Sequence, residues 1–237
     1  MIAIRADRIL QVDGGGAASS MRIGTWNLAG RWDTRHAHLM RQQNCEVWLL
    51  TEVSESLALE EYTKHLSASS MAPRRRWAAI LTRTALLPLP DPHAASALAR
   101  VGDLHFCSSI LPWRSCGSRL PWIGIGHAEK TKSALDELLP NLPQRGLVWG
   151  GDWNHALSGK EFSGSRGERS CLVKAISDLG LQVPTAALPH RLPQLLSIDH
   201  IAVPASARII SAGRIDGRAE GVALSDHDAY VVEVHLD

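Results

Sequence analysis

The sequence predicts a layered α/β protein, and two patterns in its hydrophobic residues carry that prediction. Short apolar segments typical of strands alternate with segments in which apolar residues recur at helical spacing. Several strand-like segments are apolar at both odd and even positions, which indicates that both faces of the sheet are covered. A chain of 237 residues can bury a large core as one unit, so a single domain is expected.

Seven segments are predicted to be strands, because each is a short apolar run bounded by polar, Gly or Pro residues. In chain order they are RIGTWNL, EVWLLTEV, WAAILTR, DLHFCSSIL, GLVWGGD, IDHIAV and AYVVEVHL, beginning at residues 22, 46, 77, 103, 146, 198 and 229. Their spacing along the chain leaves room for helices between them, as a layered α/β protein requires.

Three segments are predicted to be amphipathic helices. The first spans residues 33–44, with Asp33 as its N-cap. The second spans 127–139, and the third spans 168–179, followed by Gly180 at a position that favours a left-handed helix end. In the second and third segments apolar residues recur three or four positions apart, so one face of each helix is expected to pack on a sheet.

Loops and extensions are indicated by composition. Residues 11–20, QVDGGGAASS, are rich in Gly, Ala and Ser, so residues 1–20 are expected to form a flexible N-terminal extension. The folded domain is then expected to span 21–237. Two further segments, 87–96 and 158–170, have loop-like composition.

Composition also limits the classes of function. The formal net charge of +1 provides no global basic surface for clamping long nucleic acid, so any attraction for phosphate must be local. The four cysteines are widely spaced, which indicates reduced thiols rather than a cysteine zinc site or a disulfide framework. The sequence contains no signal peptide or apolar run of membrane-spanning length. We expect a cytoplasmic protein, a monomer without an obligate protein partner.

Polar residues with functional side chains stand at the ends of several predicted strands. They are Asn27, Glu52, Asp152 with Asn154, Asp199 with His200, and Asp226 with His227. Each alone is more often a cap or turn residue, and GGDWN by itself would make an acceptable β-turn. Together they indicate functional groups gathered at one end of the sheets. Oxygen ligands with imidazole and without thiolates suit Mg²⁺ or Mn²⁺ rather than zinc.

Five segments in this order, TWNLAG, LLTEV, GGDWNHAL, SIDHIAV and LSDHDAYVVEV, resemble the motifs of the endonuclease/exonuclease/phosphatase superfamily. The resemblance extends over about residues 21–237. It implies the DNase I-like fold, an α/β four-layer sandwich in which two mixed β-sheets pack face to face with helices outside. It also implies a divalent-metal-dependent phosphodiesterase, with a nuclease that cleaves DNA or RNA by in-line attack of water as the leading interpretation.

The resemblance implies that three residues hold the metal ion, Mg²⁺ or Mn²⁺. Glu52 matches the principal metal-binding glutamate of the family. Asn27 matches an asparagine that helps to place the metal through its side-chain oxygen, and Asp226 resembles a further carboxylate on the metal side. An ion held by so few protein groups keeps positions open for water and for a phosphate oxygen.

The resemblance assigns the chemical steps to four other residues. Asp152 matches the aspartate that aligns or deprotonates the attacking water, and Asn154 matches the amide that donates to the developing phosphorane oxygens. His227 matches the histidine that contacts the scissile phosphate, and Asp199 the carboxylate that orients it. A paired carboxylate favours the cationic imidazole, which suits contact with a dianion. His200 is interpreted as structural.

The chain departs from the family pattern on one strand. Many members carry a His or Tyr just before a proline on a middle strand, whereas this chain has Ser109 and Ile110 at the nearest positions. The site is expected to use Ser109 as a substrate contact, or Trp113 and Arg114 from the following loop, or to lack this contact. An aromatic side chain beside an arginine suits stacking on a base or sugar.

Other conspicuous side chains receive simpler interpretations. Arg74–Arg76 is expected to lie on a solvated face. His127 and His190 have no partner pattern in the sequence, and His155 directly follows the GGDWN motif but is expected to point away from the phosphate. All three are interpreted as structural or solvent-facing. Trp122, in a loop, is a further candidate for substrate contact.

Two alternatives to a nuclease remain open at this point. The same metal site supports a phosphatase that acts on an inositol phosphate, a phospholipid or a nucleotide, because the fold does not determine the substrate. The near-neutral charge slightly favours such a small phosphorylated substrate over a long duplex. A catalytically inactive binding module is the third hypothesis, and the competent side chains at all seven core positions argue against it.

Overall fold

The computed structural model of the protein describes residues 20–160 and 162–236. Residues 1–19 of the predicted N-terminal extension lie outside the described residues. Within the described ranges the chain forms two large mixed sheets, a two-stranded ribbon, three α-helices and one 3₁₀ turn. No helix in these ranges is both long and apolar enough to cross a membrane.

The predicted strands and helices are all present among the described elements. In chain order the elements are β1 (Met21–Asn27), α1 (Thr34–Gln43), β2 (Val47–Ser54), β3 (Thr63–Leu66), β4 (Ser70–Ala72), β5 (Arg75–Thr82), β6 (Leu87–Leu89), β7 (Ser96–Val101), β8 (Leu104–Ser109), α2 (His127–Leu138), the 3₁₀ turn (Leu139–Asn141), β9 (Leu147–Asp152), α3 (Arg166–Asp178), β10 (Leu181–Gln182), β11 (Asp199–Pro204), β12 (Arg208–Ile215), β13 (Arg218–Ala219), β14 (Val222–Ala223) and β15 (Ala229–His235). The seven predicted strands correspond to β1, β2, β5, β8, β9, β11 and β15.

Both large sheets are mixed. The first has seven strands in the order β12–β15–β1–β2–β5–β3, with β4 paired to β5, and only β1 and β2 are parallel among its described pairs. The second has six strands in the order β10–β11–β9–β8–β7–β6, and its described parallel pair is β8 with β9. Strands β13 and β14 form the separate ribbon.

The two sheets pack face to face, and helices cover their outer faces. The core between the sheets contains Ile23 and Ile80 from the first sheet with Phe106 and Val148 from the second. Helix α1 packs on the outer face of the first sheet, and α2 and α3 pack on the outer face of the second. This arrangement confirms the four-layer α/β sandwich that the family resemblance implies.

Three local details differ from the sequence-based expectations. The segment 87–96 contains the short strand β6. Pairing with β7 at the edge of the second sheet stabilises this strand. The segment 158–170 is a loop only in part, because α3 begins at Arg166. The spacing of apolar residues predicts that Val173 shares the packed face of α3 with Leu172 and Ile176, but Val173 is exposed, because Leu172 and Ile176, one helical turn apart, form the buried face.

Strand pairing brings the predicted site residues to one edge of the sandwich. The parallel register of β1 and β2 places Asn27 opposite Thr51, so Asn27 lies beside Glu52. The antiparallel register of β9 and β11 pairs Asp152 directly with Asp199. His227 comes two residues before β15, whose antiparallel pairing with β1 returns it to the same edge.

Trp153 separates two predicted site residues, but its side chain belongs to the core beneath the second sheet. The indole is fully buried, with its centroid 4.4 Å from the ring of Trp149 and 5.1 Å from the ring of His200. We expect Trp153→Ala to lower the free energy of unfolding by about 3–5 kcal/mol, because the substitution leaves a large cavity. Urea denaturation followed by circular dichroism measures this loss. Trp153→Phe should lower the free energy of unfolding by less than Trp153→Ala does. A loss under about 1 kcal/mol in Trp153→Ala would contradict the assignment of Trp153 to the core.

Candidate active site

Two aspartates and a histidine converge where β9, β11 and the loop before β15 meet. The Nδ1 atom of His227 lies 2.8 Å from Oδ2 of Asp199, and its Nε2 atom lies 3.9 Å from Oδ2 of Asp152. Both aspartates are buried, and the histidine is partly exposed to solvent. The two carboxylates therefore flank one imidazole, and Asp199 is the one within hydrogen-bonding distance of it.

Burial and mutual attraction set the charges of this group. Burial lowers the pKa of His227, but the negative charges of Asp199 and Asp152 raise it more, so the resulting pKa is about 10. Burial raises the pKa of Asp152 to about 7, against the opposing attraction of His227. His227 is therefore a cation at neutral pH, whereas Asp152 can take up and release a proton in that range.

Asn27 links two carboxylates at the end of β1. Its Nδ2 atom donates to Oδ2 of Asp152 at 2.9 Å and to Oε1 of Glu52 at 3.3 Å. Its side-chain oxygen accepts a hydrogen bond from the backbone N–H of Ala29 at 2.9 Å. The structure thus places Asn27 beside Glu52 and Asp152, which it contacts through its amide nitrogen. The resemblance implied instead that its side-chain oxygen helps to place a metal.

Glu52 is held in an unusual backbone conformation and is paired with an arginine. Its φ angle of 47° lies in the left-handed region, which non-glycine residues occupy mainly where the surroundings enforce it. Oε2 of Glu52 lies 3.1 Å from the guanidinium of Arg75. The interpretation of Arg74–Arg76 as a solvated face is therefore wrong for Arg75, because the antiparallel pairing of β2 and β5 places it at the site.

Asn154 and Asp226 occupy the rim of the same region. Asn154 has a φ angle of 57°, and its Nδ2 atom donates to the carbonyl of Leu111 at 3.0 Å. One of its two amide hydrogens is used in this bond, so the second is left for another acceptor. Asp226 is exposed beside His227, and its carboxylate accepts a hydrogen bond from the Ser225 hydroxyl.

A cleft of ≈ 620 Å³ opens in front of these groups. Its lining includes Asn154, Asp226, His227, Arg31, His190 and Arg191. Two arginines thus supply local positive charge to a protein whose formal net charge is only +1. Arg191 and His190 were not predicted as site residues, because the segment that carries them has no recognisable pattern in the sequence.

Comparison with solved structures identifies this fold. The endonuclease domain of TRAS1, a telomere-specific non-LTR retrotransposon, matches with a TM-score of 0.66 and 14% identity, covering 92% of this chain and 99% of that domain. An endonuclease/exonuclease/phosphatase protein from Beutenbergia cavernae matches with a TM-score of 0.63 and 14% identity, covering 92% of this chain and 72% of that protein. The chain has the endonuclease/exonuclease/phosphatase fold.

A third structure with this fold contains nucleic acid. It is TDP2 from D. rerio complexed with a single-stranded DNA product, which matches with a TM-score of 0.58 and 12% identity, covering 92% of this chain and 100% of that protein. No family model and no curated protein matches the sequence. The resemblance recognised in the sequence is thus confirmed at the level of the fold.

In this endonuclease/exonuclease/phosphatase fold, the three residues predicted to contact substrate do not line the cleft. Ser109 is buried, and its hydroxyl accepts a hydrogen bond from the indole N–H of Trp149. Trp113 packs edge-on against Trp122, which is itself buried and so does not serve as the predicted loop contact. Arg114 donates to the carbonyl of Gly164. The described lining of the cleft includes none of the three.

The residues at this edge fit a divalent metal ion. Carboxylates of Glu52 and Asp152 approach the same amide nitrogen of Asn27, which concentrates negative charge in a small volume. Oδ1 of Asp199 is buried without a hydrogen-bond partner among the described residues. Carboxylate oxygens are the ligands that Mg²⁺ and Mn²⁺ prefer, so the donor set suits these ions.

Proposed function

We propose that the protein is a divalent-metal-dependent phosphodiesterase, a nuclease that hydrolyses DNA or RNA. The observation that carries this proposal is the group formed by His227 between Asp199 and Asp152, with Asn27 connecting Asp152 to Glu52. In one place it provides a proton acceptor, a cation for a phosphate oxygen and carboxylates for a metal ion. Each of these three functions lowers the barrier to hydrolysis of a phosphodiester.

Asp152 serves as the base. Water attacks the phosphorus atom and its proton passes to the Asp152 carboxylate. The bond from phosphorus to the leaving oxygen breaks, and that oxygen departs with the electron pair and takes a proton from solvent. A base with a pKa near the working pH is well suited to this step, and burial raises the pKa of Asp152 to about 7. The amide of Asn27 fixes the orientation of the carboxylate by donating to its Oδ2 atom.

His227 contacts the scissile phosphate as a cation. Asp199 accepts a hydrogen bond from Nδ1, which orients the ring and leaves Nε2–H directed toward the substrate. Charge that develops on the phosphate oxygens is then met by a fixed positive group. The second amide hydrogen of Asn154 is available to the same oxygens, because the first is used by Leu111.

The metal ion in this proposal is Mg²⁺ or Mn²⁺, held by Glu52 with Asp226 and Asn27 nearby. When bound, it would polarise a phosphate oxygen as a Lewis acid. Arg75 neutralises part of the Glu52 charge through Oε2, so Oε1 faces the site. Asn27 would bind a metal directly only by turning its oxygen away from the N–H of Ala29.

Nucleic acid is the favoured substrate for two reasons. One protein with the same fold is described in complex with a single-stranded DNA product. In addition, Arg31 and Arg191 on the cleft provide positive charge where phosphates flanking the scissile bond would lie.

A phosphatase is the second candidate, and the size of the cleft favours it. A volume of ≈ 620 Å³ matches the usual range for small-molecule pockets. An inositol phosphate or a nucleotide would fit such a cleft, and the net charge of +1 does not demand a long polyanion. The same base, cation and metal ligands would serve this reaction.

A panel of substrates tests both candidates. The purified protein with Mg²⁺ or Mn²⁺ is assayed on single- and double-stranded DNA and RNA, on bis(p-nitrophenyl) phosphate and on phosphomonoesters. Cleavage of nucleic acid that is lost in His227→Ala supports the nuclease, and release of phosphate from monoesters alone supports the phosphatase. Inactivity of the protein on the entire panel, or equal activity in His227→Ala, would refute the proposal.

Arg31→Ala tests the role of the cleft arginines. We expect KM for an oligonucleotide to rise by about tenfold, equal to about 1.4 kcal/mol, with kcat little changed, because the exposed guanidinium attracts flanking phosphate without touching the reacting atoms. Arg145→Ala removes an exposed arginine outside the described lining of this cleft and serves as the matched control. Steady-state kinetics at two salt concentrations measures the effect. An equal rise of KM in both variants would contradict a specific role for Arg31.

A further inference from the structure

A second cluster of metal-binding side chains lies outside the active site. It consists of His127 at the start of α2, His155 in the loop after β9 and Glu168 in the first turn of α3. One ligand atom from each residue lies within 4.8 Å of the others. The proposed function uses none of the three residues.

Hydrogen bonds fix which ring nitrogen of each histidine is free. Nε2 of His127 lies 2.9 Å from the carbonyl of Pro112, and Nδ1 of His155 lies 2.6 Å from the carbonyl of Trp153. A carbonyl accepts a proton and cannot donate one, so each of these nitrogens carries the ring N–H. The lone pairs are then on Nδ1 of His127 and Nε2 of His155, and the two rings stack 5.3 Å apart.

The free atoms of this cluster are buried and unsatisfied. Nδ1 of His127, Nε2 of His155 and Oε2 of Glu168 have no hydrogen-bond partner among the described residues. The side chains of His127 and Glu168 are 9% and 4% exposed, and His155 is 0% exposed. Buried polar atoms without partners are rare in proteins, because each one destabilises the folded state. Three of them within 4.8 Å of one another call for a common partner.

A proton satisfies this cluster less well than a metal ion. Protonation of His127 would let Nδ1 donate to Glu168, whose Oε1 atom lies 3.4 Å away. Nε2 of His155 would still have no partner. A cation placed between the three atoms would accept both nitrogen lone pairs and one carboxylate at once.

We propose that His127, His155 and Glu168 form a second metal site, for Zn²⁺ or a similar late first-row divalent ion. Two imidazoles with one carboxylate form a ligand set typical of zinc, whereas Mg²⁺ prefers oxygen ligands. Tetrahedral zinc with ligands at about 2.0–2.1 Å separates them by about 3.3 Å, so the ligand atoms, which lie within 4.8 Å of one another, draw closer by up to about 1.5 Å when the ion binds. The carbonyls of Pro112 and Trp153 accept hydrogen bonds from the protonated ring nitrogens of His127 and His155. These bonds hold each imidazole in the tautomer that leaves its other nitrogen free to bind the ion.

This site joins three segments of the chain next to the proposed active site. His155 directly follows Asn154. An ion bound to His155, His127 and Glu168 therefore fixes the end of the segment 152–154 to α2 and α3. The loop before α3 closes over the ring, because a Cβ atom on Gly164 would lie only 2.7 Å from Cδ2 of His155. The ion thus has a structural role, distinct from that of the catalytic metal.

Cobalt(II) titration of the full chain tests the site, because Co²⁺ replaces Zn²⁺ and its visible absorption distinguishes tetrahedral from octahedral coordination. We expect one tightly bound Co²⁺ with an intense tetrahedral band in the wild type and equally in Glu52→Gln, in which a ligand of the proposed catalytic metal is removed. In His127→Gln and Glu168→Gln the affinity should fall at least about 100-fold. Zn²⁺ should raise Tm of the wild type but not of these two variants.

His38→Gln and Glu137→Gln, on exposed faces of α1 and α2, are the matched controls, and both should bind Co²⁺ like the wild type. Far-UV circular dichroism verifies that each variant is folded. The site is refuted if the wild type shows no tetrahedral band. It is equally refuted if the band survives His127→Gln and Glu168→Gln, or if Glu52→Gln alone abolishes it, since Co²⁺ would then occupy the catalytic site.

Discussion

Asp152→Asn is expected to lower kcat for phosphodiester hydrolysis by about 10³-fold, within the range of about 10²–10⁴ for general-base catalysis. The substitution retains the size of the side chain and an oxygen that can accept from Asn27 at 2.9 Å, but its amide nitrogen cannot accept from the backbone N–H of Asn154, which lies 3.0 Å from Oδ1 of Asp152. An amide cannot take a proton from water at neutral pH. The variant therefore removes the base while it keeps the size of the side chain and the hydrogen bond from Asn27.

A carboxylate remote from the site provides the control for this prediction. Asp91 is a partly buried aspartate that accepts from the backbone N–H of Ala68 and pairs with His65. Asp91→Asn makes the same chemical change and should leave kcat within about twofold of the wild type. Single-turnover kinetics on the substrate identified by the panel measures the chemical step directly. A loss under tenfold in Asp152→Asn would remove this residue from the role of base.

The central strands could be predicted from the sequence, whereas the edge strands could not. Strands such as β2 and β9 are covered by a second sheet on one side and helices on the other, so their apolar runs are continuous. Strand β12 is only partly buried, without a regular apolar pattern, and it forms because β15 offers a free edge. Such a strand depends on its partner rather than on its own residues.

The candidate site residues differ in the same way in how far the sequence reveals them. Five of them stand at or near strand ends within recognisable motifs, and the fold brings them together: Asn27, Glu52, Asp152, Asp199 and His227. Arg75 was missed because it lies within a run of three arginines, and only the antiparallel register of β2 and β5 brings it to Glu52. Ser109 was misjudged for the opposite reason. Its position on a middle strand matches the family, but its hydroxyl faces Trp149.

The second cluster has no local signal in the sequence at all. His127 and His155 are 28 positions apart, and Glu168 follows 13 positions later, which matches no compact metal-binding motif. The three side chains meet because α2 packs against α3 and both cover the loop after β9. Sites assembled by helix packing in this way become visible only when unsatisfied buried atoms can be located.

Asp199→Asn is expected to lower kcat by about 10²-fold and to move the pH profile of kcat to lower pH, through its effects on two neighbours. The negative charge of Asp199 raises the pKa of His227, which reaches about 10, so the cationic form should persist in the wild type until about that pH. Without this charge the pKa of His227 falls, and activity should decline at a lower pH on the alkaline side.

The acidic side of the profile should move in the same direction. Burial raises the pKa of Asp152 to about 7, and the charge of Asp199 contributes to that rise, so the substitution lowers the pKa of the base as well. The basic form of Asp152 is then present at lower pH than in the wild type. Asp91→Asn, which alters an aspartate–histidine pair remote from the site, should leave both sides of the profile in place. A purely structural role for Asp199 would lower kcat without moving either side, and that result would contradict its role in positioning and charging His227.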